Sequence, residues 1–124
     1  MSSKKKVRDL REYTVLAAVT TEESGNSSAY NVQNYHKLTA YMVTTNAGGT
    51  SPTLDVKIQT YIAGTWVDTG IAFGQFDTDE AEYLTSIDGS GYFPIPLGKQ
   101  IRFVWTITGT TPTFDITLTF TVQS

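Results

Sequence analysis

The chain spells almost the same seven residues twice, Gly49-Thr50-Ser51-Pro52-Thr53-Leu54-Asp55 and Gly109-Thr110-Thr111-Pro112-Thr113-Phe114-Asp115, 60 positions apart. Each copy joins a glycine, which can take backbone angles closed to other residues, to a proline that fixes φ. An alternating run follows each one. After the first copy Leu54, Val56, Ile58 and Thr60 share one face, and Asp55, Lys57, Gln59 and Tyr61 share the other. After the second, Phe114, Ile116, Leu118, Phe120 and Val122 oppose Asp115, Thr117, Thr119 and Thr121. Such period-two alternation marks strands with one buried and one solvated face, and hence antiparallel pairing. Each copy therefore reads as a loop delivering the chain into a strand, with Asp55 and Asp115 bonding to the backbone of their own loops.

The rest of the chain repeats the pattern. Residues 13–21, rich in β-branched side chains, predict a first strand that ends in the polar turn 22–27. Residues 29–32 predict a short strand, and 36–45 a longer, central one with both faces partly apolar. The tight turn Ala63-Gly64-Thr65 predicts a hairpin between 53–62 and the stretch beginning Trp66-Val67. Residues 71–76, with Gly74 at a bulge position, and 83–87 predict two more strands. In 92–97, Pro94 and Pro96 alternate, which suits an edge strand. Strands at 100–108 and 113–122 complete the set, and no segment of 11 residues or more has helical apolar spacing. Eight or nine short strands (8–9) with a turn about every ten residues predict an all-β fold: an antiparallel two-sheet β-sandwich, best matched by a jelly roll, with an immunoglobulin-like sandwich as the alternative.

At 124 residues the chain is one domain's length and needs no staple to fold. It has no cysteine, which excludes disulfides, thiolate metal sites and thiol nucleophiles. His36 is the single histidine, and the sequence gives it no positioning partner. Hard-cation binding is the remaining metal chemistry, with Asp77, Asp79, Glu80, Glu82 and Asp88 as oxygen ligands. The EF-hand spacing fails there, because Ala81 and Glu82 stand where an oxygen ligand and a glycine are required. A solvated acidic loop is the simpler reading, and the expectation is no cofactor and no bound metal. No nucleophile and base can be paired, and no glycine-rich phosphate loop precedes a helix, so the chain is not expected to be an enzyme.

Charge is unevenly placed. Residues 1–12 carry Lys4, Lys5, Lys6, Arg8 and Arg11 against Asp9 and Glu12, a net +3, so the rest of the chain carries −6 of the overall −3. A flexible basic arm (1–12) on a single acidic domain (13–124) reads first as a solvated terminus. Its alternatives are a docking segment for an acidic protein surface, a nucleic-acid tail or a membrane-surface tether. Without interleaved aromatic residues, and with an acidic body that repels phosphate, nucleic acid is not the expected partner. Arg8, Asp9, Arg11 and Glu12 interrupt the apolar run a signal peptide needs, and no stretch approaches the ~20 apolar residues of a membrane helix.

Aromatic side chains are plentiful, and several fall off the predicted inward faces. They fit a sugar-stacking platform or a protein interface. The interface is favoured, because Tyr41 and Tyr61 fall on adjacent predicted strands among threonines. These two, with Lys4, Lys5, Lys6, Arg8 and Arg11, are the candidate partner contacts.

The run Tyr35-His36-Lys37-Leu38-Thr39-Ala40-Tyr41-Met42-Val43-Thr44, followed by Gly49-Thr50-Ser51-Pro52-Thr53-Leu54-Asp55-Val56, resembles small virion structural proteins of tailed bacteriophages. In that group the loop and strand lead to a Trp-containing hairpin, here Thr65-Trp66-Val67-Asp68. The end of the chain, Lys99-Gln100-Ile101-Arg102-Phe103-Val104-Trp105 and then Gly109 to Phe114, is similar too. The resemblance covers residues 30–122 and leaves out the basic arm. It implies a β-sandwich of the virion, of the head-decoration or cement type, working as a homo-oligomer (trimer or pentamer) on the major capsid protein or other virion proteins. The alternative function is a lectin-like carbohydrate-binding module with calcium as a structural ion.

Overall fold

In a computed structural model, which describes residues 10–33, 35, 37–84 and 98–123, neither copy of the repeat ends a strand. Seven strands occur among these residues: β1 (Leu10–Thr21), β2 (Gly25–Asn26), β3 (Tyr30–Asn31), β4 (Lys37–Ile62), β5 (Thr65–Ala72), β6 (Ala81–Leu84) and β7 (Gln100–Gln123). The first heptad lies inside the 26-residue β4 and the second inside the 24-residue β7. The separately expected strands 36–45 and 53–62 are thus one strand, as are 100–108 and 113–122. The reason is that the glycine and proline bend the backbone without breaking its pairing.

Strands β4 and β7 pair antiparallel from Lys37 opposite Gln123 to Thr60 opposite Ile101. Thr50 lies opposite Thr110, the equivalent residue of the other copy, so the local two-fold axis of the strand pair relates the two heptads. The sequence repeat is also a conformational one. Gly49 and Ser51 have φ of +96° and +51°, and Gly109 and Thr111 have +126° and +46°. Register shifts flank the crossing on both sides, and together they turn the strands sharply.

The sharpness follows from Phe103 and Phe120. Both lie on β7, and 17 extended residues would span roughly 56 Å. Their ring centroids are 5.2 Å apart. Strand β7 therefore doubles back at residues 109–112, and β4 goes with it. One half of the sheet orders β1, residues 113–123 of β7, residues 37–45 of β4, then β6; the other holds β2 and β3, residues 100–108 of β7, residues 53–62 of β4, then β5. The fold is all-β and antiparallel, and hydrogen bonds join every named strand into one sheet.

The core lies between the halves. Leu38, Met42, Leu54, Ile58, Ile101 and Phe114 are fully buried, with Phe73 and Phe76 closing one side. Tyr13, Tyr30, Phe103 and Phe120 form a ring cluster with centroids 5.1 to 5.2 Å apart. Burial raises the Tyr30 pKa above its ordinary value. Three buried threonines keep the interior satisfied. Thr44 Oγ1 donates to Thr78 O at 3.0 Å and accepts from Glu80 N at 3.0 Å. Thr60 Oγ1 donates to Gln100 O and accepts from Gly98 N, both at 2.9 Å. Thr69 Oγ1 donates to Ile58 O at 2.9 Å and accepts from Ile71 N at 3.1 Å. Each clips a loop or bulge to a long strand, which is why a hydroxyl sits where a valine would otherwise fill the space.

Other expectations shift in detail. The hairpin after Ile62 has a two-residue turn, Ala63-Gly64, both at positive φ, with Ile62 paired to Thr65. The strand expected at 71–76 is the end of β5 followed by an isolated bridge between Phe76 and Leu54. The edge strand 92–97 and residues 85–87 lie outside the described residues.

Candidate contact surfaces

The outward face of the second half carries a linked set of side chains. Gln59 of β4 lies opposite Arg102 of β7 on one side and Asp68 of β5 on the other. Arg102 Nε donates to Gln59 Oε1 at 2.9 Å, and Gln59 Nε2 donates to Asp68 Oδ1 at 2.9 Å. Lys57 Nζ completes the set with an ion pair to Asp68 Oδ2 at 3.0 Å. The Gln59 amide and then the Lys57 ammonium hold the Asp68 carboxyl below the usual carboxylate range. Two register positions away, on the same face, Tyr61 pairs with Trp66, their centroids 5.1 Å apart, and the Arg102 guanidinium lies 4.5 Å from the Trp66 ring centroid. Tyr61 and Ile62 remain about two-fifths exposed. A planar cation and two aromatic rings thus share one outer face, held by three strands rather than by loops, with Ile62 beside them at the end of β4.

The outward face of the first half is a threonine ladder. Thr39 lies opposite Thr121, and Tyr41 opposite Thr119 and, on its other side, Tyr83. The Tyr41 and Tyr83 rings meet at 4.3 Å, and Tyr83 is 72% exposed.

Tyr41 and Tyr61 are therefore not neighbours on adjacent strands, as the sequence had led us to expect. They lie on the same strand β4, in different halves, each with an aromatic partner of its own. Arg11 lies on exposed β1, while Lys4, Lys5, Lys6, Arg8 and His36 fall outside the described residues. The Arg102, Gln59 and Asp68 row was missed, since it exists only once the register of β7 on β4 and β5 is known. The Tyr61 to Trp66 pair had a signal: a two-residue turn at Ala63-Gly64 places them opposite each other.

Near the bend, Asp115 Oδ1 accepts from Thr20 Oγ1 at 2.7 Å and Oδ2 accepts from Asn46 Nδ2 at 2.8 Å. Asp55 Oδ2 accepts from Gln75 Nε2 at 2.9 Å. Neither carboxylate bonds its own loop, contrary to expectation; each reaches a neighbouring segment, because the strand continues through the bend. The Asn46 amide and then the Thr20 hydroxyl hold Asp115 below the usual carboxylate range. In the acidic loop Asp79 Oδ1 accepts from Ala47 N at 2.9 Å, Glu80 Oε1 from Asp77 N at 3.2 Å and Glu82 Oε1 from Gly74 N at 3.0 Å. These carboxylates turn toward separate backbone donors, and among the described residues no three of them converge as a metal cage would require. Asp88 is outside the described residues.

No family model matches the chain, and neither does any curated protein. Among solved structures it is similar to the crystal structure of the SPBc2 prophage-derived protein YomS, with 13% identity and a TM-score of 0.56 over 99% of this chain and 100% of that one. The likeness runs the whole length of both chains and shows a common fold.

Proposed function

We propose that this chain is a non-enzymatic structural protein of a phage particle, a capsid decoration or minor capsid protein that stabilises the shell through subunit contacts. The observation that carries the reading is the end-to-end fold likeness to a prophage-derived protein. It joins the sequence resemblance to virion structural proteins at residues 30–122. We read the two halves of the bent sheet as the layers of a jelly-roll-like β-sandwich, which leaves two outer faces for partners: the major capsid protein, another virion protein or a further copy of the chain. Trp, Tyr and Arg are the residues that dominate binding energy at interfaces, and Tyr61, Trp66 and Arg102 supply all three on one face.

The carbohydrate-binding reading is the weaker one. The Tyr61 and Trp66 rings are inclined at 59° and the Arg102 guanidinium covers one face of the indole, so the pair offers no flat platform for a sugar ring. The test is to delete the gene from the phage or prophage that carries it and heat the purified particles. Particles that assemble but release their genome at lower temperature support the proposal. Particles of unchanged heat stability, or glycan binding by the isolated protein that Trp66→Ala abolishes, overturn it.

A further inference from the structure

The bend segregates charge along the molecule. At the bend end, Glu22 and Glu23 follow the pairing of Thr21 with Phe114, Asp55 and Asp115 leave the crossing, and the 77–80 loop is tied to Thr44 and Ala47. No lysine or arginine lies there among the described residues. At the opposite, open end, Lys37 pairs with Gln123, Arg11 with Val122 and Arg102 with Gln59, and Lys99 holds Val32 through its carbonyl at 2.8 Å. Asp68 is paired with Lys57 there. The two halves are one sheet doubled over, so their free ends lie at the same pole: Tyr30, paired beside Ile101, packs against Tyr13 and Phe120 of the other half.

We propose that a second copy of this chain docks head to tail, its acidic bend end seated on the open end of the first at the surface formed by Lys99, Arg102, Trp66 and the exposed Tyr61-Ile62 tip. Charge complementarity selects the occupant: the chain carries its own partner for the basic pole at its other end. Tyr61 and Ile62, about two-fifths exposed on the ordered hairpin, supply the apolar contact that opposite charges alone lack. Because the joined surfaces differ, the contact is heterologous and builds rings or open rows rather than a closed two-fold dimer. The inference deepens the structural role proposed above by naming one of its partners.

The test is sedimentation of the full chain with two charge-reversed variants, Lys99→Glu/Arg102→Glu and Glu23→Lys/Asp77→Lys. In about 0.02 M salt the parent should form species whose mean mass rises at least twofold with concentration, and about 0.5 M salt should return them to monomer. Each variant alone should stay monomeric, since the two reversed residues then meet like charges across the contact. An equimolar mixture should associate again, which misfolded variants would not do. A parent that stays monomeric in low salt, association that survives either reversal, or a mixture that fails to associate overturns the head-to-tail contact. If the parent stays monomeric while heat-fragile particles result from the gene deletion, this contact fails and the virion role stands.

Discussion

Gly49 and Gly109 face each other's repeat across the centre of the sheet: a Cβ on Gly49 would lie 2.4 Å from Thr111 O, and one on Gly109 would lie 2.9 Å from Ser51 O. Each glycine makes room for the other copy, and each has a φ that other residues avoid. Gly49→Ala is expected to cost about 3 kcal/mol or more, since backbone atoms must move, and Gly109→Ala about 2 kcal/mol. The double variant should depart from the sum of the two, because the loops strain each other. Urea unfolding midpoints check both the order and the coupling.

The Thr60 hydroxyl is the buried link between β4 and the start of β7. Thr60→Val keeps the volume but leaves Gly98 N without its acceptor, at an expected cost of about 1 to 3 kcal/mol. Thr60→Ser should restore most of the stability, while an equal loss in both variants would show that packing and not the hydrogen bond matters. The readout is again the unfolding midpoint.

Ala63 holds φ +53° at the first position of the Ala63-Gly64 turn. Asparagine tolerates that region, and Asn-Gly is the preferred pair for this turn. Ala63→Asn should therefore stabilise the protein by about 0.5 to 1 kcal/mol, seen as a higher Tm.

Asp115 predicts an acid-side dependence. Its folded pKa lies below the ordinary value, so its contribution is present above the unfolded pKa of about 3.9 and is lost as pH falls through the folded one. The stability difference between the parent and Asp115→Asn should be constant above about pH 5 and shrink below about pH 4. Because the carboxylate faces solvent, the effect should be small and weaken in salt. Unfolding curves from pH 3 to 7 measure it.

Residues 53–62 and 113–122 show how much of the fold the alternation reveals: the buried set Leu54, Val56, Ile58 and Thr60, and the set Phe114 through Val122, are those read from the sequence. What the heptads conceal is that a glycine and a proline followed by a strand look the same whether the preceding strand stops or merely bends. Only cross-strand pairing, here Thr50 on Thr110, separates the two cases, and pairing has no local signature. The contact surface was half legible for the same reason. Tyr61 stood out by composition, whereas Arg102, Gln59 and Asp68 come together through the register of three strands. The sequence alone places Asp115 on its own loop, because nothing local marks a strand that runs on through the bend.

A structural component of a phage particle has to be present in the finished particle in a set number of copies. Quantitative mass spectrometry of purified particles, with the major capsid protein as internal standard, counts the copies of this chain. The expected result is a fixed stoichiometric ratio that survives density-gradient purification. Abundant protein in the infected cell with none in the purified particles would contradict it.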